Sequence, residues 1–484
     1  MSYLDLTIVE IHQALIERKV TPLELAKEAL KRAKENGDNA FEYIMEKEAL
    51  EIASKLKEPS NDPLWGIPFV IKDNFSTKDV PTSASSRILD GYVPLFSATV
   101  YDKLIAKGAV PIAKATLDEL AMGGTGTTGR LGKTFNPWDK THQRMIGGSS
   151  SGSAVSVSAS IVPFSLGSDT GDSVRKPASN AGLVGYKPTW GRISRYGLFP
   201  FAPSLDHVGY FTRSVEDASI LLGALSGRDE HDSTSSFKPV DDYRKYIGKD
   251  IKGIKVAVIK EVVDSISDGE IKKSFNNSLN FLKKQGAEIH EVSIDEALLK
   301  AIYPTYIVIS CAEATSNNAN LDGIKFGPRY EGSSYEEVMT KARTNGFSEL
   351  IKRRFVIGSF ALLAENQDVL FLRAQKARRM IVEAINKVLS EFDVIYLPAS
   401  PSIAPKFINS SDRLSSEYLI ADNHLAIGNF GGYPSITFPL GFEEKMPFGG
   451  NITGRHFEDG KVLQIANAIE HFVGLKNLSA KEGK

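Results

Sequence analysis

Gly147-Gly148-Ser149-Ser150-Ser151-Gly152-Ser153-Ala154 and Gly167-Ser168-Asp169-Thr170-Gly171-Asp172-Ser173-Val174-Arg175 are two Gly/Ser-rich turns a helix-length apart, and no histidine lies between Gly147 and Lys187. Between them Ser153–Ser160 is patterned as a helix and Val162–Leu166 as a buried strand. Glycine lets backbone approach a ligand and take up turn geometries closed to other residues. Serines on such turns present hydroxyls as nucleophiles and N–H groups as anion donors. Serine nucleophiles usually take their base from histidine, so Ser173 needs another base. Gly66-Ile67-Pro68-Phe69-Val70-Ile71-Lys72-Asp73 supplies a candidate: Ile67–Ile71 is an apolar run between breakers, a strand pattern, and Lys72 stands at its end. Apolar surroundings disfavour an ammonium, so such a lysine can serve as a neutral base. Paired with Asp73 at a surface, it would be an ordinary strand-end charge.

Working outward, Val110–Ala113 also has a strand pattern and Ala98–Lys107 a helical one. Two helices open the chain over about residues 1–60, the second at Thr21-Pro22-Leu23-Glu24, a capping box with proline at the first helical position. Alternation of this kind favours a largely parallel, helix-covered sheet. Gly227–Asp250 is polar and predicts a long surface connection. Beyond it Lys255–Ile259, Glu288–Val292, Val394–Leu397 and Ser435–Pro439 are patterned as strands. A second domain could begin at that connection.

Two short motifs mislead. Gly124-Thr125-Gly126-Thr127-Thr128-Gly129 fits the dinucleotide fingerprint, but it follows Leu117–Met122, a helical pattern, instead of a strand. Gly148-Ser149-Ser150-Ser151-Gly152 fits a nucleophile elbow, yet the polar segment Asp139–Arg144 precedes it. None of His207, His290, His424, His456 and His471 sits in a motif that fixes a catalytic role. The chain has 484 residues with 58 basic against 59 acidic side chains, which argues against electrostatic capture of nucleic acid by this chain alone. No run is long and apolar enough to predict a membrane span, and the start lacks a signal pattern, so a cytoplasmic location is expected. Cys311 stands alone, which excludes an internal disulfide or a cysteine-rich metal site, and a small core residue is its expected role.

Gly66-Ile67-Pro68…Lys72-Asp73, Gly147-Gly148-Ser149-Ser150 and Asp169-Thr170-Gly171-x-Ser173-Val174-Arg175-x-Pro177-Ala178 together resemble the amidase signature family. Tyr186–Leu198, Ser204–Gly209, Glu313-Ala314…Asp322-Gly323, Lys352-Arg353-Arg354…Gly358 and Ala374–Arg378 are similar to its branch of A subunits from tRNA-dependent amidotransferases. The resemblance runs from the first helix to about His471. It implies an α/β fold: one domain over residues 1–484, with a mixed central β-sheet covered by helices on both faces. It implies a Ser–Ser–Lys triad with Ser173 as nucleophile, Ser149 as relay on a cis peptide, and Lys72 as terminal base. Backbone N–H groups of Thr170, Gly171 and Asp172 would face the oxyanion. Arg354 would grip the α-carboxylate of glutamine and Asp422 its α-ammonium, with Tyr306 adding a contact.

The implied activity is release of ammonia from glutamine, to convert Glu-tRNA(Gln) to Gln-tRNA(Gln), Asp-tRNA(Asn) to Asn-tRNA(Asn), or both. The implied partners are B and C subunits in a heterotrimer. The B subunit uses ATP and Mg and contacts the tRNA, while this chain needs no metal or cofactor of its own. The alternatives are a free-standing small-amide amidase and a silent scaffold subunit. The chain departs from the family pattern at Asp172, where a glycine is usual, at Ser151, and in the Gly123–Gly129 stretch. If the Asp172 N–H serves the oxyanion, its carboxylate must point away, held by a cation such as Arg175 or by a local backbone donor.

Overall fold

Among the described residues, the apolar run ahead of Lys72 forms the second of eleven strands in one sheet. The computed structural model describes residues 2–407 and 420–481. Its strands are β1 (Phe41–Ile44), β2 (Pro68–Lys72), β3 (Val110–Ala115), β4 (Phe164–Asp169), β5 (Val184–Lys187), β6 (His207–Thr212), β7 (Lys255–Ile259), β8 (Glu288–Val292), β9 (Val394–Pro398), β10 (Ser435–Glu443) and β11 (Met446–Gly454). They lie side by side in the order β1-β3-β2-β4-β6-β5-β10-β11-β9-β7-β8. The pairing of β5 with β10 joins the two halves of the chain, so the polar connection does not separate two sheets.

The sheet is mixed, not largely parallel. Parallel pairing is confined to β3-β2-β4 at one side and β9-β7-β8 at the other. The middle, β4-β6-β5-β10-β11-β9, is antiparallel throughout. Strand direction is fixed by distant partners, and alternation along the chain does not record it. Four strands, β1, β5, β6 and β11, fall outside the sequence-predicted set. Three of these carry Gly, Asn, His or Lys at buried positions, which breaks the continuous apolar run expected of an interior strand.

At the N-terminus Thr21 and Glu24 cap the helix Pro22–Glu35 reciprocally, with proline at its start. The helix after Ser149 runs Ser151–Ser158, is buried along its length, and packs on β2, β3 and β4. Leu117–Met122 is not the helix its pattern suggests: only a single 3₁₀ turn forms, with Leu120 and Ala121 at positive φ. The stretch Glu296–Asn320 is helical and, by length and composition, apolar enough to cross a membrane, contrary to the sequence expectation. More than half of its apolar window is buried (56%), and the helices Glu349–Leu362 and Arg373–Glu391 pack against it. It is therefore a core helix here.

Parallel pairing of β3, β2 and β4 matters for the site. Their carboxyl ends share one edge of the sheet, so Ala115, Lys72 and Asp169 deliver the segments that follow them to the same place. Antiparallel β6 starts at that edge, with His207 opposite Asp169. Clefts at the carboxyl ends of parallel strands are the usual sites of chemistry in α/β sheets.

Candidate active site

Lys72 ends β2 with its side chain fully buried. Its Nζ lies 2.8 Å from Ser149 Oγ, 3.0 Å from Ser150 Oγ and 2.9 Å from Ser168 Oγ. Asp73, the alternative partner, pairs instead with Lys114 at 3.3 Å and accepts from Ser83. Burial lowers the Lys72 pKa to about 7, against an upward pull from the carboxylates of Asp118, Asp169 and Asp206.

The hydrogen-bond inventory around Lys72, which also includes Ser168 O at 3.4 Å, can be met by a neutral amine. Ser150 Oγ donates its proton to Ser168 O and takes the Ser168 N–H, so towards Lys72 it can only accept. Ser168 Oγ accepts from Asn74 Nδ2 and lies within reach of a second Lys72 proton. Those two bonds use both protons of a neutral NH₂ group. In that neutral form the remaining lone pair is available to Ser149 Oγ, whose hydroxyl can donate to it; a charged amine would instead donate to all three hydroxyl oxygens.

Gly148 and Ser149 are joined by a cis peptide. Behind them stands Asp118, which the sequence did not single out. Its backbone N–H donates to Ser149 O at 3.1 Å. Its carboxylate, fully buried, accepts from the N–H groups of Thr125, Gly126, Thr127 and Thr128 and from the Thr128 hydroxyl, at 2.9 to 3.1 Å. A Cβ on Gly148 would sit 2.1 Å from Asp118 Oδ2, so glycine is obligatory there. The Gly/Thr stretch that imitates a phosphate loop therefore wraps the protein's own anion. Successive small residues able to turn their N–H groups inward were the available signal.

Ser173 is reached from β4 by the turn Thr170-Gly171-Asp172, and its carbonyl accepts from Ser150 N at 3.3 Å. The Ser173 hydroxyl makes no hydrogen bond among the described residues. Asp169, at the end of β4, accepts from Val174 N and forms a two-pronged ion pair with Arg175. Burial would raise its pKa, but the Arg175 guanidinium holds it well below the usual carboxylate range. Asn429 adds bonds to Asp169 and Arg175. On the other side Thr170 Oγ1 donates to Asp206 at 2.7 Å. The turn is thus clamped at both ends, while the N–H groups of Thr170 and Gly171 donate to no described residue. Arg175 is committed to Asp169, Gly171 O, Leu425 O and Asn429; the Asp172 carboxylate lies near the Tyr306 phenol, whose pKa it helps to raise.

Gly171, Asp172, Tyr306 and Arg354 line one cleft together with Gly123 and Gly124, with about 460 Å³ of empty space, its open mouth included. A Cβ on Gly171 would meet the Tyr306 ring at 2.9 Å, so the aromatic floor comes this close only to glycine. Arg354 projects from the helix Glu349–Leu362 and is 9% exposed. Its Nε and Nη1 are buried without a hydrogen-bond partner among the described residues. A guanidinium desolvated without a counter-anion is costly and marks a place for an anionic ligand. Asp422 is not part of this lining, although Asn423 and Ala426 are; it is ion-paired with Lys176 at 2.9 Å.

No histidine is bonded to either serine among the described residues. His207 Nδ1 is 2.7 Å from Leu205 O and His424 Nδ1 is 3.0 Å from Ala421 O. Both are buried, and burial holds both below the normal imidazole range, His424 at about 4. Cys311 is fully buried with its thiol pKa raised.

The Amidase family model matches residues 24–463. The A subunit of glutamyl-tRNA(Gln) amidotransferase from Thermotoga maritima is 41% identical over 470 residues, 97% of this chain and 96% of that one. Its namesake from Persephonella marina is 39% identical over 481 residues, 98% of each chain. The crystal structure of the Thermotoga maritima protein superimposes with a TM-score of 0.79 at 38% identity, covering 97% of this chain and 95% of that one. An amidase crystal structure superimposes at 0.80 with 29% identity, covering 97% and 100%.

Proposed function

The chain belongs to the amidase family, and on that premise we propose that it hydrolyses the side-chain amide of glutamine and passes on the ammonia as the A-type subunit of a tRNA-dependent amidotransferase. The whole chain acts as one domain. The chemistry rests on the buried Lys72 Nζ, 2.8 Å from Ser149 Oγ and within 3.0 Å of the Ser150 and Ser168 hydroxyls, where a neutral amine can turn its lone pair to Ser149. Lys72 takes the Ser149 proton as Ser149 takes that of Ser173, and Ser173 Oγ attacks the carboxamide carbon. The N–H groups of Thr170, Gly171 and Asp172 receive the developing oxyanion; loss of one such donor typically costs about 3–4 kcal/mol. The proton then returns through Ser149 to the leaving nitrogen. Ammonia departs, a γ-glutamyl ester remains on Ser173, and water releases glutamate.

Arg354 supports an acid-bearing substrate, because an anion would both complete its hydrogen bonds and neutralise its buried charge. The α-carboxylate of glutamine fits that role, with Tyr306 beside it and Asp422 for the α-ammonium.

Assembly is supported by exposed apolar side chains on the same helix and the segments after it: Val356, Phe360, Leu363, Val369, Leu372 and Met380, each at least 40% exposed. Large apolar side chains left in water in such number suit a protein contact. The partners are a B subunit, which activates the tRNA-linked carboxylate with ATP and Mg and selects glutamyl-tRNA(Gln), and a small C subunit. Ammonia release from glutamine, measured with and without co-purified B and C subunits, tests the proposal. Wild-type turnover that Ser173→Ala abolishes is the expected result. Absence of turnover in the complete assembly refutes it.

A further inference from the structure

If glutamine is the substrate, its α-ammonium needs Asp422, and the protein already supplies that carboxylate with a cation of its own. Lys176 stands in the first turn of the helix Arg175–Ala181, three residues past the nucleophile. Its Nζ donates to Asp422 Oδ1 at 2.9 Å. The lysine side chain is 7% exposed and that of Asp422 42%. Among the described residues Lys176 Nζ has no other hydrogen-bond partner. Its backbone N–H is fixed on Asp172 O at 2.8 Å, and Asp172 lines the cleft, as does Asn423, the residue after Asp422. The ion pair therefore stands behind two residues of the cleft lining, Asp172 and Asn423, bridging the nucleophile's helix and the helix Ile420–Asn423.

We propose that Lys176 competes with the substrate's α-ammonium for Asp422 and so sets the affinity for α-amino amides. The proposal rests on the glutaminase reading above. A carboxylate has two oxygens and can accept a second cation, but that cation meets a pair already neutralised and a like charge beside it. Lys176 cannot relieve the conflict by swinging into water, because its stem is buried. The penalty falls on binding at Asp422, away from the Ser173 turn where bonds break. It raises KM for glutamine and leaves kcat largely alone. A substrate with the same amide and carboxylate but no α-amino group, glutaramate, has nothing to place at Asp422 and does not meet the penalty.

The test compares wild type with Lys176→Met, which keeps the buried stem and removes the charge. Both are assayed on glutamine and glutaramate, in the assembly in which the wild type is active. The ratio of kcat/KM for glutamine to that for glutaramate should rise about tenfold in the variant, with the change in KM for glutamine. An unchanged ratio overturns the proposal, and a fall overturns it by assigning Lys176 to assist α-amino substrates. Lys176→Gln provides a second variant should the first not fold. Wild type that releases no ammonia from glutamine sinks the glutaminase reading and this proposal with it. Turnover with an unmoved ratio sinks this proposal alone.

Discussion

Titrating Lys72 should switch the enzyme on as the pH rises through 7. Burial moves its pKa from 10.5 to about 7, which disfavours the ammonium by about 5 kcal/mol. At neutral pH about half the molecules then carry a neutral amine, against about one in three thousand for an unshifted lysine. With the carboxamide uncharged, kcat/KM for glutamine should fall about tenfold for each pH unit below the midpoint and level off above pH 8. Steady-state ammonia release from pH 5.5 to about 8.5, below the range where glutamine's own α-ammonium titrates and at glutamine well below KM, reads this limb. Lys72→Arg keeps a buried cation that cannot give up its proton, so it should lose about three to four orders of magnitude at every pH. The same shift has a sign for stability. Between pH 7 and 10.5 the unfolded chain binds more protons at Lys72 than the folded one, so stability rises with pH there. Any stability advantage of Lys72→Met should accordingly shrink as the pH climbs through that window. A flat activity profile, a midpoint near 10, or an active Lys72→Arg enzyme would refute the neutral-base argument.

Arg354→Met should raise KM for glutamine about a hundredfold, because a carboxylate loses a desolvated partner. The unliganded variant should also melt at a higher temperature, since a buried cation without a counter-charge is gone; a KM within threefold of wild type would count against the carboxylate assignment. Asp118→Asn should lower kcat at least tenfold, because an amide cannot accept the five donors now on that carboxylate. It should also move the Lys72 limb to lower pH, as the foremost carboxylate holding that pKa up is neutralised, and speed amide exchange at residues 125–128; unchanged exchange and an unmoved limb would contradict both effects. Asp172→Gly should leave kcat and KM within about threefold, because on the proposed mechanism Asp172 would serve the oxyanion through its backbone. Loss of activity in a folded Asp172→Gly protein would assign its carboxylate a direct role.

How far the sequence reaches can be followed through individual residues. β7 and β8 are predicted to the residue, because short apolar or alternating runs between breakers carry their own boundaries. That the two Gly/Ser turns meet Lys72 is also legible, since small residues and hydroxyls recur there at fixed offsets. β5 and β11 are not. They place Gly185 and Gly450 where neighbours come close, with Ala178 Cβ at 2.5 Å and the Tyr396 ring at 3.0 Å from where a Cβ would stand, so their burial is written in partners far along the chain. Leu117–Met122 has a helical pattern, but five donors converge on Asp118 and turn the chain there instead. Lys176 meets Asp422 across 246 positions, and no local pattern records such a pair.

If Ser173 carries the acyl group, the intermediate can be trapped on it. Wild-type enzyme mixed with glutamine, quenched in acid during turnover, digested and analysed by mass spectrometry should yield a γ-glutamyl ester on the peptide containing Ser173. The adduct should be absent from Ser173→Ala and cleaved by hydroxylamine. An ester on another residue, or full ammonia release by Ser173→Ala, would contradict the account.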